Sequence, residues 1–477
     1  MFQIDFVQGF GLFAYLGLVA GAAIYGALNN SANGRDVKFE AIGYQRFGAL
    51  MVAIVIASTM LGPADAMALS QNGLKYGLIW ALFPLGAALA QLVSGKYLAS
   101  KVVSRFQGLI SLGDIFDRAC HPSARVAAGF LVFAQAIAFS GVLVLAGAQL
   151  LEAFLHIPRV YGMVSTAVFV GLYTSFGGFS GVAWTDRVQF FFIVVLFGVL
   201  VLSSIVNAAH APALSFSEVF ATNAFWQDYD FKTGLGFFLA YFLGELLLPA
   251  YSVRALVARD RASAQNGFVI AAGMIAVWYV VVTLAGSVAQ YIPVSARTAG
   301  DVGIILDIAR NIAPPGSIVS SVVGVLVFIG LLAMIHSTFD SFLNVGAVAF
   351  ARDFLGGLVA LTDETQGWIV RRATFVIAIF GIVVATFGGS LIDILLVGYT
   401  IWVPSLLPGL LWLLLHGSKK LTPVAFWSGL VAGIAFWGFI EYVLTNSPAP
   451  SIAVGFVANF LVIGIIDKMA ADREGGV

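Results

Sequence analysis

The chain has 477 residues, 60% of them hydrophobic and only 10% charged, whereas soluble domains carry about 25% charged residues. That composition excludes a water-soluble globular fold, and the balance of 24 basic against 24 acidic residues leaves no footprint for nucleic acid. The chain reads as an all-α polytopic membrane protein. Its single cysteine, Cys120, cannot form an internal disulfide and has no thiol partner that would make it a redox centre.

Windows of roughly 20 apolar residues mark membrane-spanning helices. They fall at about 8–28, 45–67, 74–98, 123–153, 158–177, 185–208, 233–257, 264–290, 317–350, 367–387, 390–415, 422–444 and 449–468, thirteen in all. Met1–Gln8 lacks the basic stretch of a cleavable leader, so the first span is expected to stay. With the N-terminus outside, 19 of the 24 lysines and arginines fall on the cytoplasmic side. These include Arg35, Lys38, Arg46, Arg187, Arg254, Arg352 and Lys419; Lys75, Arg159, Lys232, Arg297 and Arg310 fall outside. The positive-inside rule then sets the N-terminus outside and the C-terminus in the cytoplasm.

Three connections exceed tight turns. Ser104–Pro122 is amphipathic and cytoplasmic. His210–Lys232 is external and holds Phe225, Trp226 and Tyr229, which suit a membrane interface. Pro293–Gly316 is external and mixed in polarity, consistent with a short helix ending at Pro314–Pro315.

Two spans are interrupted. The second carries Gly62–Pro63 followed by Asp65; the seventh carries Gly244, Glu245 and Pro249. Proline removes a backbone donor and clashes with the preceding turn. Irregular backbone at membrane depth persists only where protein or a cavity satisfies it. Breaks five spans apart point to two inverted five-helix repeats, 45–208 and 233–415, with a binding site where the breaks meet. The first span (1–44) and the last two (422–477) would be peripheral. Against this stands the general abundance of Gly and Pro in membrane helices.

The ninth span is apolar yet carries Ser337, Thr338, Asp340 and Ser341. Residues three and four apart share a helix face, so Ser337, Asp340 and Ser341 point one way, with Thr338 beside them. A carboxylate at the centre of a membrane helix costs about 2.5–3.5 kcal/mol on insertion scales, and such groups face a cavity or the bundle interior. Oxygen-only groups suit hard cations. The patch reads as half of a small-cation site. His336, just before the serine–threonine pair, reads as a hydrogen-bonded structural residue.

Tyr173–Gln189, YTSFGGFSGVAWTDRVQ, closely resembles the signature of the sodium:solute symporter family. SLGDIFDRAC at 111–120, YSVRALVARDRASAQNG at 251–267 and MIHSTFDSFLNVGAVAFARDF at 334–354 resemble further family stretches. The resemblance implies a LeuT-like 5+5 inverted-repeat fold working by alternating access, in which Na⁺ drives uptake of a small solute. It implies a main Na⁺ site built from backbone carbonyls of the broken second span and carbonyl plus hydroxyls of the ninth. A gap-free register places the carbonyls at Ser58, Leu61 and Met334 and the hydroxyls at Ser337 and Thr338. A helix break frees carbonyls at a half-helix C-terminus, where the partial charge is negative, so the transfer is chemically coherent.

In some relatives the aspartate of the Trp-Thr-Asp signature, here Asp186, helps bind a second Na⁺. With Ser337, Asp340 and Ser341 it would form a second cation or proton site, since two close carboxylates hold a cation or share a proton. Alternatively, Asp186 caps a helix starting near residue 185 and Asp340 meets an arginine such as Arg187 near the inner surface. Solute candidates around the breaks are Asp65 and Glu245, with Phe83, Tyr241, Trp278 and Tyr399 as walls, each aromatic also explicable as packing. With no lysine or arginine placed at the midplane, an amine-bearing or hydroxyl-rich solute is expected over a simple carboxylate.

No His/Cys/carboxylate cluster has zinc spacing, and no phosphate loop or nucleophile elbow is present, so an enzyme is not expected. Two alternatives remain: a proton-coupled carrier of the same fold using Asp186, Asp340 and Glu245, and a sensor module. A sensor is expected to continue into a signalling domain, whereas about ten residues follow the last span. The expected partners are the solute, Na⁺ and the lipid bilayer, with a bacterial inner membrane as location. A monomer suffices for this architecture, and the sequence leaves the oligomeric state open.

Overall fold

A computed structural model describes residues 6–31, 47–106, 108–209, 215–228, 231–292, 304–305, 307–308, 317–417, 420–445 and 448–474. Arg35, Lys38, Arg46, Arg297, Arg310, Lys419, Tyr229 and most of the 293–316 connection, with Pro314–Pro315, lie outside the described residues. Within them the fold is all helix, and the one β-bridge joins Phe47 to Ala258. Eleven helices are each long and apolar enough to cross a membrane, and two bent pairs pass the same test together. Counting each bent pair as one span gives up to thirteen among the described residues.

Most spans lie within a few residues of their apolar windows, because hydropathy marks a membrane helix directly. The exceptions have local causes. The second span does not end at residue 67 but continues as Pro63–Tyr76, a half-helix of low hydrophobicity that starts on proline at its first turn and stops at Gly77. The third accordingly begins at Leu78 rather than 74 and runs to Phe106. The ninth runs past residue 350 to Leu358, its last turns loosened into a π-helix at Ala349–Leu355.

The second span bends by 63° between Ala49–Met60 and Asp65–Tyr76. At the bend the Leu61 N–H still reaches the Ala57 carbonyl (2.8 Å), but the Gly62 N–H turns to Met60 (2.7 Å) and Pro63 has no N–H. The carbonyls of Ser58 and Thr59 thereby lose their helical donors. The seventh span is interrupted at Leu246–Leu248, between Phe231–Glu245 and Pro249–Leu256, with Leu247 held at φ 48°. A branched residue in the left-handed region is strained and persists only where its surroundings impose it. Here the Leu246 carbonyl accepts from Trp402 Nε1 (3.3 Å) and the Leu247 carbonyl from Ser252 Oγ (2.5 Å). The sharper second bend is in the eleventh span, 48° between Leu391–Trp402 and Leu407–Leu415, which sequence reasoning did not anticipate.

The broken spans are held by direct backbone contact. A Cβ on Gly286 would land 1.9 Å from the Ser70 carbonyl oxygen, and one on Gly73 2.2 Å from that of Thr283. The second half of the second span, Pro63–Tyr76, therefore lies backbone to backbone against the eighth. On the other side the Phe47 carbonyl accepts from the Arg259 N–H (2.9 Å), tying the start of the second span to the exit of the seventh. Phe225 does not face lipid: it is buried, stacked on Phe83 and edge-on to Tyr76, while Trp226 stays exposed. Cys120 is half-buried between the short helix Leu112–Ala119 and the fourth span, and burial pushes its thiol up to about 12, the mark of an inert packing residue.

Candidate functional site

The ninth span, Ile318–Val348, is buried on every face from Val327 onward, which is why its polar residues meet protein rather than lipid. Ser337 Oγ donates to the Ser58 carbonyl at 2.8 Å, one of the two carbonyls released by the Gly62–Pro63 break, and lies 3.3 Å from its own-helix carbonyl at Met334. Thr338 Oγ1, one residue on, is buried with no hydrogen-bond partner. The fit to a hard monovalent cation is thus chemical: freed carbonyl oxygen, a hydroxyl already touching it and an unsatisfied hydroxyl beside them. Among the described residues no group of three or more His, Cys, Asp or Glu could hold a metal.

One helical turn further, Asp340 and Ser341 join a larger cluster. Asp340 Oδ2 accepts from Tyr173 (2.8 Å) and Thr185 (3.0 Å), both within the Tyr173–Gln189 stretch. Ser341 Oγ accepts from the Arg254 guanidinium (3.0 Å) and shares a hydrogen bond with Thr59 of the second span (3.0 Å). Asp186 is fully buried and both its oxygens lack a hydrogen bond, as does Asp340 Oδ1. Arg254 attracts both carboxylates, which repel each other.

This geometry corrects three expectations. Asp186 does not cap a helix: the sixth span begins at Ser180, after the break at Gly178, so Asp186 sits inside it. Asp340 does meet an arginine, but it is Arg254 and not Arg187, whose guanidinium lies 4.2 Å over the Trp184 ring. Arg254, counted above among the residues facing the cytoplasm, is buried at 2% exposure in the second half of the seventh span, Pro249–Leu256. Thr59, Tyr173, Thr185 and Arg254 were missed as members of the cluster. Tyr173 and Thr185 stand inside the signature stretch itself, so that signal was available.

A second cluster forms where the seventh span breaks. Tyr241 donates to Asp65 (3.3 Å) and Tyr399 to Glu245 (2.5 Å), while the Glu245 carbonyl accepts from Gln91 (3.0 Å). Tyr251 and Tyr279 also face these carboxyl groups. Two acids thus sit within four tyrosines. Trp278 and Phe83 do not join them. Trp278 packs on Phe197 of the sixth span, because one residue turns a helix by about 100° and it is Tyr279 that faces inward. Phe83 belongs to the aromatic plug with Trp80, Phe225 and Phe237. His336 is a structural residue in its contacts: its Nδ1 bonds to Tyr15 of the first span (3.1 Å) and its ring stacks there.

The model of the sodium:solute symporter family matches residues 42–431. The chain belongs to the sodium:solute symporter family. Membership makes it a transporter rather than an enzyme, and Na⁺ is the coupling ion of the family. It is 25% identical over 297 residues to the sodium/pantothenate symporter of Escherichia coli, covering 58% of this chain and 59% of that protein. It is 26% identical over 429 residues to the high-affinity choline transporter 1 of Torpedo marmorata, covering 84% of this chain and 69% of that one. Among solved structures it is similar to a Na⁺-coupled sialic acid symporter in a substrate-bound, outward-open state, with a TM-score of 0.78 at 16% identity and 98% coverage of both chains. That likeness fixes the family's fold for this chain.

Proposed function

We propose that this chain is a symporter that uses a Na⁺ gradient to import a small polar organic solute across a bacterial plasma membrane, N-terminus outside and C-terminus cytoplasmic. In this reading 45–208 and 233–415 are inverted repeats. Na⁺ sits between the second and ninth spans on the carbonyls of Ser58, Leu61 and Met334 and the hydroxyls of Ser337 and Thr338. The observation that carries it is the 2.8 Å contact from Ser337 to the carbonyl freed at Ser58, beside the unpartnered Thr338 hydroxyl.

Asp186, Asp340 and Ser341 form a second site for a cation or a proton. Two carboxylates against one guanidinium leave one negative charge, and three buried carboxylate oxygens there lack donors. Uptake in proteoliposomes given either a Na⁺ gradient at one pH or a proton gradient at equal Na⁺ separates the readings. Uptake following the Na⁺ gradient supports Na⁺ coupling; uptake following only an imposed proton gradient supports the proton carrier.

The solute occupies the tyrosine-lined space at Asp65 and Glu245. Carboxyl groups and phenols favour amine and hydroxyl donors, and Arg254 is already engaged by Ser341. In a thermal-shift screen in Na⁺, amines, amino acids or polyols are expected to stabilise the protein and simple carboxylates are not. Glu245→Gln should raise the half-saturating solute concentration about tenfold or more, the equivalent of about 1.4 kcal/mol, with Na⁺ half-saturation unchanged. An equal response to carboxylates would reverse the solute class.

A further inference from the structure

A second constellation lies at the cytoplasmic end of the ninth span, away from both clusters. Asp353 is buried at 1% exposure and accepts from Ser111 Oγ at 2.7 Å. Ser111 is also the N-cap of the short helix Leu112–Ala119, accepting from the Asp114 N–H (3.0 Å). The Asp114 carboxylate turns back to the Ile110 N–H (3.0 Å), so the turn 110–114 is closed on itself. Arg125, at the start of the fourth span, reaches Asp114 (3.4 Å), Asp117 (3.3 Å) and Asp353 (3.5 Å). Arg352 reaches Asp114 (3.3 Å) and lends its carbonyl to Arg125 (3.2 Å). The fit is tight: a Cβ on Gly113 would land 2.3 Å from the Asp353 carboxyl carbon, and one on Gly129 2.5 Å from the Phe354 nitrogen.

Beside this network runs a narrow cleft of about 10 Å³, room for about one water. Its walls are Ile110–Leu112 on one side, Pro249 and Val253 of the seventh span on another, and Asn344 and Val348 of the ninth. Asn344 is one turn below Asp340 and Ser341 on the same helix face, and Val253 adjoins Arg254. The cleft therefore lies one helical turn from the Asp340–Ser341–Arg254 cluster and has Asp353 in its wall. It is polar at both ends and apolar between.

We propose that this cleft is the cytoplasmic exit for the ion, that the turn 110–114 is its plug, and that Ser111, Asp114, Arg125 and Asp353 are the positioning residues that latch the plug shut. The proposal rests on the ion site assigned above only for what passes through the cleft. Release requires the turn 110–114 to leave the ninth span, which costs the buried Ser111–Asp353 bond and the two shared guanidinium contacts. Such a bond to a charged group is large enough to hold a gate and small enough to break during a transport cycle.

The test uses cysteine accessibility in full-length protein in nanodiscs, where both faces meet reagent. In a Cys120→Ser background, Asn344→Cys reports the cleft and Ser140→Cys, buried in the fourth span away from it, reports general loosening. Asp353→Asn and Ser111→Ala should each raise the maleimide labelling rate at position 344 about tenfold and leave that at 140 unchanged. An unchanged rate at 344, or equal rises at both positions, overturns the latch. No ion or solute is needed for this readout, so a misplaced Na⁺ site would leave it intact and would show instead as unaltered Na⁺ dependence of uptake in a Ser337→Ala variant.

Discussion

Replacing Ser337 or Thr338 with alanine is expected to raise the half-saturating Na⁺ concentration for uptake by about ten- to a hundredfold each. Bonds to a charged group contribute about 1.5–3 kcal/mol, and each 1.4 kcal/mol is tenfold in affinity. The two variants should differ in stability. Ser337→Ala leaves the Ser58 carbonyl buried without its donor, since the helical one is lost at Gly62–Pro63. Thr338→Ala removes a hydroxyl that has no partner in the structure, so in the absence of Na⁺ it should melt no lower than the parent. Uptake titrated with Na⁺ at constant ionic strength, alongside thermal unfolding in Na⁺-free buffer, reads both. Unaltered Na⁺ dependence in both variants would remove the ninth span from the site.

The second large effect is expected at Arg254. Breaking a buried charge cluster by removing one partner costs about 3–5 kcal/mol, because the other charges stay buried. Arg254→Met leaves Asp186 and Asp340 facing each other with only the half-exposed Arg187 nearby. The single variant should lose about that much stability, and Na⁺ should restore part of it by neutralising one carboxylate. Arg254→Met combined with Asp340→Asn should be markedly more stable than Arg254→Met alone, a departure from additivity expected of groups in one network. Thermal melts of the single and double variants, in Na⁺ and in choline, decide it. Equal melting points for single and double would show that the guanidinium is not what holds the two acids together.

How much of this could be seen in the chain itself depended on which physical signal carried it. Hydropathy located the spans, since a membrane helix must be apolar over its whole length. It misplaced the join of the second and third because Asp65–Tyr76 is a polar half-helix packed against the eighth span. Gly62–Pro63 announced the sharp bend, whereas the 48° bend of the eleventh span has no glycine in its Val403–Leu406 gap and only Pro404 to mark it. Ser337, Asp340 and Ser341 stood out as polar residues in an apolar helix. Arg254 did not: an arginine near a span end reads as facing the membrane surface until the fold shows it buried against the ninth span. Trp278 was preferred to Tyr279 because nothing local says which face of an apolar helix points to the centre; neighbouring helices set that.

The most direct test is a density map of the purified protein at a resolution that shows ions, prepared once in Na⁺ and once in choline. The account predicts a Na⁺-dependent peak between the Ser58 carbonyl and the Ser337 and Thr338 hydroxyls, at the elbow of a bent second span. An unbroken second span, or a Na⁺ peak with no ligand from the ninth, would contradict it.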